Sequence, residues 1–208
     1  MLKPLLTLNI SELTDALNKA LAIGMSYEEY SELNKTYAKE GKTSGDQKES
    51  YVGYTKLGAA RLRRWEKLYQ PDQGYLDELT SLVTPGEQWL VFSETWCGDA
   101  AHMLPFVHKW SKHTKVPLTI IMRDEHTTLM DEFLTNGGRS IPKLVRLSAD
   151  GVVLGTYGPR PSVLVAHHGE WKSKASFDYK EWTLFAQDWY NQDKGKSIES
   201  DFLEILSK

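Results

Sequence analysis

The sequence predicts an α/β protein: a helical N-terminal extension over residues 1–82, then a strand–helix domain over residues 83–208. Two observations carry this. Up to residue 82 the apolar residues recur at spacings of three and four, the helical period. From Glu87 onward short β-branched and aromatic runs alternate with helical stretches, and an Asp150-Gly151 turn separates two such runs.

The elements follow in order. Ser11 is read as the cap of a first helix carrying Leu13, Leu17, Ala20 and Leu21, ended by Gly24. Ser26 and Glu29 form a capping-box pattern for a second helix with Tyr30, Leu33 and Tyr37 on one face. Gly41 to Lys48 has the composition of a flexible loop. A third helix is predicted from about Glu49 to Tyr69, with Tyr51, Tyr54, Gly58, Leu62, Trp65 and Tyr69 on one stripe. Its basic residues fall mostly off that stripe, which favours a core-facing aromatic face over an RNA-binding one. Pro71 stops this helix, and Tyr75 to Val83 forms a short fourth one.

Trp89-Leu90-Val91-Phe92 and Val116 to Met122 read as buried strands flanking a helix that runs from Cys97 to about His113. Thr127 to Thr135 is predicted helical, closed by Asn136-Gly137-Gly138. Lys143 to Leu147 and Val152 to Tyr157 form the hairpin, and a final helix spans about Asp178 to Asn191.

Composition excludes several classes. The net charge is −3, shared evenly by the two parts, so neither has the basic footprint of a nucleic-acid or anionic-membrane binder. A single cysteine excludes an intramolecular disulfide framework. The apolar start Met1 to Leu6 is broken by Asn9, Ser11 and Glu12 without a cleavage site, and no stretch is long enough to span a bilayer, so a cytoplasmic setting is expected. The six histidines include no pair at helical ligand spacing beside Cys97: Cys97 and His102 are five apart, as are His108 and His113, so no metal site is expected. No Gly-rich phosphate loop or Ser-His-Asp signature occurs.

Four features resemble the thioredoxin family. Trp96-Cys97-Gly98 lies between a buried strand and a helix; Pro105 sits eight residues later, inside that helix; Ile141-Pro142 follows a glycine-rich turn and opens a strand; the Asp150-Gly151 hairpin comes next. The resemblance implies a three-layer α/β/α sandwich around a central mixed sheet, with a cis-proline at Pro142 facing Cys97. A narrower likeness is to bacterial thioredoxin-like proteins with Trp-Cys-Gly-Asp-Cys, a helical N-terminal extension and Gly-Pro-Arg-Pro. This chain has Trp96-Cys97-Gly98-Asp99 and Gly158-Pro159-Arg160-Pro161, but Ala100 stands in place of the second cysteine. Val91 also stands where thioredoxins carry a buried Asp that assists proton transfer. Glu94, three residues before the cysteine, is not the Thr of a peroxiredoxin.

The implied chemistry centres on Cys97 as nucleophile. Helix N-terminal placement lowers its pKa below the free value of about 8.5, tempered by repulsion from Asp99. Without a resolving thiol only the mixed-disulfide step survives, and turnover needs an external thiol such as glutathione; no other cofactor is expected. Protein or small thiols and disulfides are the implied partners. Ala100 completes the active-site motif, and Trp96, Gly98, Asp99, Ile141 and Pro142 shape the docking surface, with the Ile141 backbone edge free to pair with a peptide or with glutathione. The alternative is a non-catalytic thioredoxin-fold module that binds a peptide or partner, with Cys97 a remnant.

Overall fold

The computed structural model describes residues 8–208, so the reading of Met1 to Leu6 lies outside the described residues. Four helices come first: α1 (Ile10–Ile23), α2 (Tyr27–Glu40), α3 (Glu49–Leu68) and α4 (Gln73–Leu82). Then follow β1 (Gln88–Ser93), α5 (Gly98–Thr114), β2 (Leu118–Met122), the short α6 (Thr127–Met130), β3 (Lys143–Leu147) and β4 (Val153–Tyr157). Three helices close the chain: α7 (Ser162–Lys172), α8 (Tyr179–Asp193) and α9 (Lys196–Leu206).

The four strands form one mixed sheet in the order β2-β1-β3-β4, with β1 and β2 parallel and the other pairs antiparallel. Alternation along β1 sends its side chains to opposite faces. Trp89 meets Phe202 of α9, which in turn touches Trp110 of α5. Phe92 packs instead on Phe133, just after α6. Helices therefore cover both faces of the predicted α/β/α sandwich, and α3 packs across α5 from outside. A single hydrophobic core runs from Leu17 in α1 to Leu206 in α9. Side chains as enclosed as Leu17, Leu79 and Leu90 contribute about 1.5–3 kcal/mol each.

Several local expectations need correction. The cap of α1 is Asn9, whose side chain accepts from the Glu12 N–H while Glu12 returns to the Asn9 N–H; Ser11 lies within the helix. The predicted helix 127–135 is a single α-turn followed by a 3-10 turn at Asp131–Phe133. The helix at Asp178 is not the last. Both α7 and α9 were unread, although Ile198, Phe202 and Leu206 recur every four residues and are all buried.

The loop at 41–48 also differs from expectation. Thr43 and Ser44 are buried. The Ser44 N–H donates to Thr95 Oγ1 at 2.9 Å, and the Thr95 N–H donates to Ser44 Oγ at 2.9 Å. Gly45, at φ +62°, makes the turn that allows this. Polar side chains that looked like solvated linker instead satisfy the backbone below the cysteine motif.

Candidate functional site around Cys97

Cys97 is the N-cap of α5. Its Sγ accepts the Ala100 N–H at 3.4 Å, as the helix terminus dictates, and its S–H donates to the Ile141 carbonyl at 3.3 Å. The Ile141–Pro142 peptide is cis and faces the cysteine. Cys97 and the Ile141–Pro142 peptide thus meet as the resemblance implied. The Ile141 carbonyl accepts the thiol hydrogen and keeps a second lone pair for another donor. One expectation is corrected. The thiol is not acidic: burial and the Asp99 charge push its pKa up to about 12, outweighing the Ala100 N–H. Only 6% of Cys97 is exposed, and desolvation of a thiolate costs more than one helix N-terminus returns.

The N-terminal helices pack on the residues just before the cysteine. The Tyr51 ring stacks on Trp96 with centroids 4.5 Å apart, and the Arg123 guanidinium lies 5.0 Å from the Trp96 ring centre. The Asn34 amide donates to the Thr95 carbonyl at 3.2 Å. Gly58 lets α3 pass directly over the motif, since a Cβ there would sit 3.0 Å from the Thr95 carbonyl oxygen. Glu94 is fully buried, accepting from the Ser44 hydroxyl and from the Asp124 N–H at 2.8 Å, and burial raises its pKa. Ala100 and Val91 are enclosed in the core, where neither can move a proton. Arg139 is bound to Asp131 through both arms of its guanidinium, at 2.6 and 2.7 Å.

Asp99 faces the other way, toward the C-terminal helices. Arg160 Nε lies 2.8 Å from Asp99 Oδ2, and the Tyr190 hydroxyl donates to Asp99 Oδ1 at 3.0 Å. The Gly-Pro-Arg-Pro segment is therefore tied to the cysteine motif through a charge pair. One turn further along α5, buried His102 accepts the Trp65 indole N–H at its Nδ1 (2.8 Å) and stacks on Tyr190 (4.1 Å). Burial drives its pKa down to about 3, so the ring is neutral with its proton on Nε2.

Beside these residues a cleft of about 530 Å³ opens between α3 and α8, with Gly98 and Asp99 in its floor. Arg61, Arg64, Trp182 and Tyr190 also line it. Sequence reasoning missed Arg61, His102, Trp182 and Tyr190 as site residues, because their proximity depends on how distant helices pack. Among the described residues no group of three or more His, Cys, Asp or Glu side chains is placed to hold a metal ion. None of the described helices is long and apolar enough to cross a membrane.

A sequence model of the thioredoxin family matches residues 44–172, and the chain belongs to that family. The match starts inside the 41–48 loop, so it takes in α3 and α4 along with the sheet. No curated protein matches the chain. Among solved structures, a protein of unknown function from Pseudomonas aeruginosa is 17% identical, with TM-score 0.59 over 97% of this chain and 98% of that one. An HIV epitope-scaffold is 18% identical, with TM-score 0.56 over 96% and 98%. At such identities the likeness is one of fold.

Proposed function

We propose that this member of the thioredoxin family is a binding module in which Cys97 serves as a packed helix cap and not as a nucleophile. The observation that carries the reading is the state of the thiol: 6% exposed, hydrogen-bonded to the Ile141 carbonyl, and with its pKa pushed up to about 12. At neutral pH such a sulfur holds a negligible fraction of thiolate, the form that attacks disulfides. Ala100 supplies no resolving thiol. The reading keeps the cytoplasmic setting expected from the sequence.

Monothiol exchange with glutathione as co-substrate is the second reading. One observation favours it: the Ala100 N–H points at Sγ and would stabilise a thiolate once the site opened.

Titration of the thiol, and intact mass after incubation with oxidised glutathione at neutral pH, separate the two. The binding reading expects a pKa well above 8.5 and no adduct. An adduct of one glutathione per chain with a lower pKa establishes the exchange reading. Ala100→Cys extends the test, since the binding reading expects it to gain no disulfide-reductase activity.

A further inference from the structure

The cleft between α3 and α8 combines unneutralised positive charge with exposed apolar surface. Its charged lining is Arg61, Arg64, Arg160 and Asp99, and Asp99 is already engaged by Arg160. Arg61 is half-buried against the motif, its Nη1 3.0 Å from where a Cβ on Gly98 would stand. Desolvation lowers its pKa, and among the described residues its charge is met only at longer range by Asp99, without a hydrogen-bonded carboxylate. A half-buried guanidinium in that condition favours an incoming anion. Arg64 adds a second positive charge from the next turn of α3.

The rim is apolar. Leu57, Tyr179 and Leu184 line the cleft and are 51%, 56% and 65% exposed, an unusual gathering of large side chains in water. Trp182 and Tyr190 reach the cleft deeper in but are 1% and 3% exposed, so the rim residues supply most of its apolar surface. The volume of about 530 Å³ is that of a small-molecule site and holds much less than a folded partner.

We infer that this cleft binds a small amphipathic organic anion, a carboxylate, sulfonate or phosphate on a flat apolar body, with Arg61 and Arg64 holding the acid group and Leu57, Tyr179 and Leu184 covering the body. The inference rests on the binding reading above for its biological sense, but the site does not use the thiol. A reactive Cys97 would overturn that reading and leave this one standing; loss of ligand binding with an inert thiol would do the reverse.

The probe is 1-anilinonaphthalene-8-sulfonate, titrated by fluorescence and calorimetry against the full chain, with uncharged N-phenyl-1-naphthylamine for comparison. Saturable binding of one sulfonate per chain is expected, at least tenfold tighter than the uncharged analogue. Arg61→Gln should weaken it at least tenfold, Arg61→Lys less. Ala60→Trp, at an exposed position on the cleft wall, should block it, and decides the matter if Arg61→Gln fails to fold. The proposal is overturned if no saturable binding occurs, if the uncharged analogue binds equally well, or if a folded Arg61→Gln or Ala60→Trp binds like the wild type.

Discussion

Arg160 lies 2.8 Å from Asp99, yet its Nε–H does not point along the contact, so the two interact as charges and not through a linear hydrogen bond. The pair joins the loop before α7 to the first turn of α5, and only 20% and 14% of the two side chains reach solvent. Arg160→Met leaves Asp99, among the described residues, with the Tyr190 hydroxyl as its side-chain hydrogen-bond partner and Arg61 at longer range. We expect a loss of about 1–3 kcal/mol in urea unfolding, below the 3–5 kcal/mol of a wholly enclosed pair because solvent still reaches this one. Combining it with Asp99→Asn should cost less than the two singles together, by about 0.5–3 kcal/mol.

A second pair is fully enclosed. Arg146 donates to Glu87 from Nε at 2.6 Å and from Nη2 at 3.0 Å, and the Trp89 indole adds a third bond at 2.8 Å. Burial works to raise the Glu87 pKa, but these donors outweigh it and the net shift is downward. Its stabilisation is present above the unfolded carboxyl pKa of about 4.3 and is lost as pH falls through the lowered folded value. Arg146→Met should cost about 3–5 kcal/mol at neutral pH. Chemical denaturation between pH 3 and pH 7 checks both the size and the sign.

For Cys97 the sign reverses. Its folded pKa is raised, so the stability it contributes is fully present below the unfolded value of about 8.5 and is lost as pH rises toward about 12. The wild type should lose about 1.4 kcal/mol per pH unit above pH 8.5 relative to Cys97→Ala. Parallel pH profiles for the two proteins would contradict the buried thiol.

Gly158 sits at φ +105°, and a Cβ there would lie 2.2 Å from the Pro142 carbonyl oxygen. Gly158→Ala combines backbone strain with a clash against backbone that cannot swing aside, and should cost more than about 2 kcal/mol. Gly169, exposed in α7 with nothing near its missing Cβ, is the control: Gly169→Ala should stabilise by about 0.5–1 kcal/mol. Thermal melts of the two variants should move in opposite directions.

What could be read beforehand was mostly local, although the Asn9 cap and the four-residue period of α9 were local too and were missed. The Ser26–Glu29 capping box, the β1 run and the turn at Gly151 are written in neighbouring residues, and each lies where periodicity put it. The contacts of Cys97 with Pro142's loop were reachable through family resemblance. The thiol's acidity was not, because the helix terminus is adjacent in sequence while the groups packed around the motif, such as Tyr51 on Trp96 and Arg160 on Asp99, are not. Helix α7 escaped notice because its apolar residues do not keep to one face: Val163 and Val165 are exposed and only Leu164 is buried. Arg61 carries no mark of a site in the sequence, because α8, which faces it across the cleft, is distant along the chain.

The stack of Tyr51 on Trp96 and the crossing of α3 over α5 bear on how the chain is made. Residues 49–68 leave the ribosome before residues 96–114, so Tyr51 and Trp65 emerge ahead of Trp96, His102 and Phe106, which later pack on them. Until α5 arrives, the nascent chain carries an aromatic flank without its mate, the kind of surface chaperones hold. A slowing of translation before α5 has emerged would prolong that interval.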